Sequence, residues 1–212
     1  MIEIILLVSS VLFIFALKLF GRPSTAHRAN TFAMLAMALA VFSAFNFDFS
    51  KYDSAFYITI VVSGLLGVLI SKRVQMTQMP ELVGLFNGFG GGASGAIAYV
   101  ELSGNSLPLS DVFVAIFSMV IGVFTFSGSL VAVMKLRGKL NNFNKKLADI
   151  FSVFLPTIIV IPAVLEMDDL LIEFIILVAL IAGIIRVAVI GGADMPVVIA
   201  FLNSLSGIAA MS

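Results

Sequence analysis

Met79-Pro80-Glu81-Leu82-Val83-Gly84-Leu85-Phe86-Asn87-Gly88 is echoed downstream by Met195-Pro196-Val197-Val198-Ile199-Ala200-Phe201-Leu202-Asn203-Ser204, at a constant offset of 116 residues (203 − 87). Gly91 and Gly207 continue the match at that offset. Each copy opens an apolar run with proline and places an amide side chain further in. Proline is tolerated in the first turn of a helix, where its missing N–H has no intrahelical acceptor. At 1.5 Å per residue each amide lies roughly 10 Å inside its run, about a third of the way through hydrocarbon if the run spans a bilayer. An amide buried there without partners costs on the order of 1–3 kcal/mol or more. The spacing therefore predicts two helices that turn Asn87 and Asn203 into the interior of a bundle, toward polar groups or water.

The rest of the chain fits a membrane solvent. Of its 212 residues 61% are hydrophobic and only 11% are charged, against about 25% charged in a soluble domain. Mean hydropathy is +1.18. Little is left over for a folded soluble domain. Zero net charge gives no footing for nucleic acid. The absence of cysteine excludes disulfides, thiolate metal sites and cysteine catalysis. The start Met1-Ile2-Glu3 lacks a basic n-region, so the first run is expected to remain as a helix and not to be cleaved as a leader.

Apolar runs fall at residues 2–19, 30–47, 55–71, 80–100, 112–134, 148–165, 170–190 and 195–212. Each approaches the ~20 residues that a helix needs to cross ~30 Å. No alternating pattern suggests a barrel. The expected fold is all-α: a polytopic transmembrane bundle of eight helices, with residues 1–212 forming one transmembrane domain. Charge supports the count. Lys18, Arg22, Arg28, Lys72, Arg73, Lys135, Arg137, Lys139, Lys145, Lys146 and Arg186 lie in or beside odd-numbered connections. Only Lys51 opposes the acidic even-numbered ones. The positive-inside rule then puts the odd connections in the cytoplasm and the N-terminus outside.

The two Met-Pro motifs open the fourth and eighth runs, so both enter from the cytoplasmic side. A weaker echo joins Ala16-Leu17-Lys18-Leu19-Phe20-Gly21 to Val133-Met134-Lys135-Leu136-Arg137-Gly138. Together they predict a parallel repeat of a four-helix unit, not an inverted one.

Other polar positions carry two readings each. For Asn87 and Asn203 these are interhelical hydrogen bonding or a water and proton path. Gly84, Gly88, Gly91 and Gly95 recur at i, i+4, i+7, i+11, and Ser118, Gly122, Thr125 and Ser129 repeat that spacing. Close helix packing accounts for the glycines; Thr125 and Ser129 could also line water. Glu81 and Asp194 begin the two motif helices, where the helix dipole favours a carboxylate; alternatively they mark a proton entry or a partner contact. Arg186 either snorkels or pairs with Asp194. His27 is expected in solvent. Pro156 and Pro162 are expected to kink the sixth run. Gly88-Phe89-Gly90-Gly91-Gly92-Ala93 sits inside an apolar helix, so it is no dinucleotide fingerprint. No residue set supports catalysis, a metal or a cofactor in this chain.

Val74-Gln75-Met76-Thr77-Gln78-Met79-Pro80-Glu81-Leu82-Val83 with Phe86-Asn87-Gly88 resembles the membrane domain of the beta subunit of proton-translocating NAD(P) transhydrogenase. So does Ile190-Gly191-Gly192-Ala193-Asp194-Met195-Pro196-Val197-Val198, with Leu202-Asn203-Ser204 and Ser206-Gly207 behind it. Thr125-Phe126-Ser127-Gly128-Ser129 is a third similar segment, and the likeness covers essentially the whole chain. It implies a proton carried inward through the membrane, coupled to hydride transfer from NADH to NADP+. It also implies NAD(H) and NADP(H) bound by soluble domains, an alpha-type subunit with an NAD(H) domain and membrane helices, and an NADP(H)-binding domain. Surrounding lipid, a dimer of the whole complex and a bacterial inner membrane complete the expectation. The proton path would pass Asn87, Asn203, Ser129 and Thr125, with Asp194, Glu81 and Arg186 at its cytoplasmic mouth. One charge crossing ~150 mV releases roughly 3.5 kcal/mol, which shifts an equilibrium a few hundredfold.

Two features depart from the family. Many members have histidine where this chain has Asn87, and asparagine does not titrate near neutral pH. Other members place the membrane histidine on the alpha-type subunit, the arrangement expected here. The family's beta subunit continues through another helix into an NADP(H)-binding domain; here, past Ser212, that part is expected to be a separate chain, cut away or lost. The alternative from a different class is a secondary transporter with a small-solute site between parallel repeats.

Overall fold

The computed structural model describes residues 2–44, 52–104, 107–140 and 169–211. Among these residues there are seven long helices and no strand. They are α1 (Ile2–Phe20), α2 (Ala26–Ala44), α3 (Ser54–Arg73), α4 (Met79–Gly104), α5 (Leu109–Leu136), α6 (Asp169–Ala188) and α7 (Met195–Met211). Each falls on an expected apolar run. The expected run at 148–165, with Pro156 and Pro162, lies outside the described residues.

Five of the seven are long and apolar enough to cross a membrane by themselves: α1, α3, α5, α6 and α7. The expectation of eight self-sufficient spans is corrected to that extent. The reason is compositional. Glycines, Asn87 and Ser94 dilute α4, and His27, Arg28 and Asn30 dilute the start of α2.

The chain divides into two compact units, Met1–Lys72 and Arg73–Ser212. In the first, α1 and α2 pack antiparallel. Ser9 Oγ donates to the Ala36 carbonyl at 2.7 Å, and Phe15 meets Phe32 edge to face further along. Buried Ala16, Ala29 and Ala36 let the two backbones approach. α3 buries none of its residues.

In the second unit α5 is the central helix and packs against α4, α6 and α7. α4 and α5 are antiparallel. Gly84 lies against Val133, Gly88 against Ser129, Gly91 against Gly122 and Thr125, and Gly95 against Val123 and Met119. This is the glycine seam that the i, i+4, i+7, i+11 spacing predicts. α7 also runs antiparallel to α5: Gly128 faces Leu202, and Ser118 bonds to Ala209. The two motif helices α4 and α7 are therefore parallel, as the repeat requires. α6 runs parallel to α5, from the Ile116, Met119, Ile172 and Ile175 cluster to the Val131, Val187 and Ala188 cluster. At Gly183 it presses so closely on Ser127 and Phe124 that no side chain would fit.

The repeat extends to the entry of each motif helix. Short 3-10 turns at Met76–Gln78 and Gly192–Asp194 precede Met79 and Met195. They share the offset of the Met-Pro copies.

Candidate functional site

The glycine seam brings one amide to a three-helix junction. Gly88 has no side chain to exclude Ser129; a Cβ there would stand 3.1 Å from Ser129 Cβ. In the space so left, Asn87 on α4 donates through Nδ2 to Ser129 Oγ on α5 at 2.9 Å. Its Oδ1 accepts from Ser206 Oγ on α7 at 3.3 Å. Asn87 is 8% exposed and Ser129 fully buried. The amide thus donates to one helix and accepts from another without ionising.

One turn along α5, Thr125 is fully buried, and its Oγ1 has no hydrogen-bond partner. A buried hydroxyl in that state carries a desolvation cost of about 1–3 kcal/mol. Two turns further, Ser118 Oγ donates to the Ala209 carbonyl at 2.6 Å. There the seam meets a cavity of about 520 Å³ lined by Ser94, Glu101, Asp111, Ser118 and Ala209 among others. Thr125 and Ser118 are separated by the tight crossing of Gly122 on Gly91 and Gly95.

The Met-Pro end of the seam is held by charge. Arg137 Nε lies 2.6 Å from Glu81 Oε2. The chain leaves α5 through Gly138 at φ 66°, a left-handed exit that glycine adopts freely. Arg137, still helical at the end of α5, reaches the start of α4, where Glu81 also meets the positive end of the helix dipole. Close by, Lys135 is buried, and its Nζ donates to the Ile190 carbonyl at 2.6 Å.

One sequence expectation changes here, and for Arg186 the structure decides between two readings in favour of exposure over pairing with Asp194. Asn203 is exposed, so the two amides do not share an interior. The inward face of α7 is Met195, Ile199, Leu202 and Ala209, with half-buried Ser206. Asn203 is one residue past Leu202, about 100° around the helix, and it falls off that face. At the repeat offset the buried stripe Gly84, Asn87, Gly88, Gly91 of α4 becomes Ala200, Asn203, Ser204, Gly207 of α7, all exposed. Arg186 and Asp194 are both exposed and form no ion pair with each other. Glu81 binds Arg137, a partner the sequence reading did not consider. His27 is exposed, as expected.

Two functional candidates were missed. Ser206 was quoted only as part of a resemblance; its place one turn beyond Asn203 was the available signal. Lys135 counted as a loop cation, although it falls within the last turn of α5. Among the described residues no group of His, Cys, Asp or Glu could hold a metal ion.

Residues 2–212 match the family model described as NAD(P) transhydrogenase beta subunit. Two Rhodospirillum rubrum sequences named NAD(P) transhydrogenase subunit beta are each 32% identical to this chain over 219 residues. The matches cover 96% of this chain and 47% of each relative. The chain therefore spans about half the length of the curated relatives it matches.

Proposed function

Because this chain belongs to the NAD(P) transhydrogenase beta subunit family, we propose that residues 1–212 form the proton-translocating membrane domain of such an enzyme. Inward proton movement is coupled to hydride transfer from NADH to NADP+. NAD(H) and NADP(H) bind to soluble domains of the full complex, on an alpha-type subunit and on an NADP(H)-binding domain. The chain is a multi-pass membrane protein. A bacterial inner membrane, with the N-terminus outside and the Met-Pro turns toward the cytoplasm, fits the distribution of basic residues. The complex is a dimer surrounded by lipid.

The observation that carries this reading is the Ser206–Asn87–Ser129 cluster, hydrogen-bonded across three helices with Asn87 and Ser129 buried and Ser206 half-buried. Asn87 orients water or a neighbouring proton carrier but does not hold the proton itself. Thr125, with its unpartnered hydroxyl, is the next station outward along α5. Asn203, exposed on a membrane helix, contributes from the flank of α7 beside Ser206, toward a membrane helix of the alpha-type subunit. Glu81, Asp194 and Arg186 stand at the Met-Pro end, where the nucleotide domains respond to the state of the seam. The family match leaves the solute-transporter alternative disfavoured.

The test is proton uptake by liposomes that carry the complete complex with its nucleotide domains outward, driven by the reverse hydride transfer from added NADPH to NAD+ and followed with a trapped pH dye. Asn87→Leu is expected to abolish uptake, and Asn203→Leu to reduce it. Wild-type uptake by Asn87→Leu refutes the path.

A further inference from the structure

Lysine at the end of a membrane helix ordinarily extends its amine to water. Lys135 does not. It is 5% exposed, and its amine turns inward to the Ile190 carbonyl, just past the end of α6. Carbonyls at a helix exit have no intrahelical donor, and a cation is favoured there. The backbone takes part as well: the Lys135 carbonyl passes 3.6 Å from where a Cβ on Gly192 would stand. On the other side of the turn Met195 is fully buried, against Val131 and Ala132 of α5 and Val187 and Ala188 of α6. The Gly192–Asp194 turn is thus fixed at both ends to the last turns of α5, while Gly192, Ala193 and Asp194 themselves face out.

The same helix holds one end of the hydrogen-bonded cluster. Ser129 precedes Lys135 by six residues on α5, roughly 9 Å along the axis. A displacement of α5 that alters the Ser129–Asn87 bond also displaces the donor to Ile190. We propose that Lys135 is a positioning residue that transmits the state of the Asn87–Ser129 pair to the Gly192–Asp194 turn. The inference rests on the proton-coupled reading given above and adds the element through which coupling leaves the membrane.

The experiment uses the complete complex in liposomes, with a spin label on Ala193→Cys. Lys135→Met is expected to loosen the label and to lower protons moved per hydride transferred by about fivefold or more, the scale of an ordinary coupling free energy. Hydride transfer itself persists. Lys135→Arg, which keeps a cationic donor, restores both readouts. Lys139→Met, which removes an exposed charge at the same end of α5, changes neither. A wild-type label spectrum in Lys135→Met overturns the pin. A wild-type proton-to-hydride ratio with a loosened label overturns transmission. Proton and hydride rates that fall equally, as loss of folded complex gives, leave the ratio at its wild-type value and overturn transmission too. Absence of proton uptake by the unaltered complex is a separate outcome: it defeats the underlying reading, and the inference with it.

Discussion

Gly122 and Gly91 cross so closely that a Cβ on Gly122 would stand 2.5 Å from the Gly91 carbonyl oxygen. The obstruction is backbone, which has no rotamer with which to yield. Gly122→Ala must therefore part α4 from α5, at an expected cost of about 1–3 kcal/mol. Gly90, in the same stretch of α4, meets nothing within 4 Å. Gly90→Ala is expected to be neutral or to stabilise the helix by up to about 1 kcal/mol. Thermal unfolding in detergent compares the two; equal destabilisation would remove the crossing as the constraint.

Asn87 and Ser129 should behave as a coupled pair. Ser129→Ala leaves the Asn87 Nδ2 group buried without its acceptor, at about 1–3 kcal/mol. Removing both polar groups, with Asn87→Leu added, costs less than the sum of the single changes. Coupling between polar pairs in membrane bundles averages about 0.6 and reaches about 1.7 kcal/mol. A double-mutant cycle on unfolding free energy measures it, and a value of zero would mean that the two side chains do not bond.

The fold was legible where one rule acts at a time. Hydropathy placed α1 to α7 to within a few residues, because a span needs little more than length and apolarity. Glycine spacing gave the α4–α5 seam, since a stripe of small residues has one physical use in a bundle. The repeat gave the direction of α7. What the repeat did not give was the rotation of α7. Its inward face is chosen by Met195, Ile199 and Leu202, which pack on α5 and α6. The sequence match made Asn203 the partner of Asn87, while packing gave that place to Ser206. Lys135 was hidden for a similar reason: charge statistics assign a terminal lysine to water, and only the nearness of Ile190 turns it inward.

Thr125 separates structure from transport in one substitution. Valine has nearly the same shape and lacks the hydroxyl. With Oγ1 buried and unpartnered, Thr125→Val removes a desolvation cost and is expected to raise unfolding stability by about 1 kcal/mol. If the hydroxyl is a station for water, the same variant slows coupled proton uptake. Stabilisation with unchanged uptake would leave Thr125 as packing alone.

The exposed stripe Ala200, Asn203, Ser204 and Gly207 invites a labelling test, because these 212 residues contain no cysteine and an introduced thiol is the single one among them. An amide facing lipid is costly, so a helix of the complex should cover it. Asn203→Cys is expected to react with a membrane-permeant maleimide in the isolated chain and to be protected in the complete complex. Asn87→Cys, at the buried junction, is protected in both. The same approach fixes orientation. With an impermeant maleimide, exposed Glu3→Cys reacts from outside the cell and exposed Ala193→Cys from the cytoplasmic side of inverted vesicles. Equal reaction of Asn203→Cys with and without the other subunits would show that no partner helix lies against it. Its role in the path would then fall to Ser206 alone on α7.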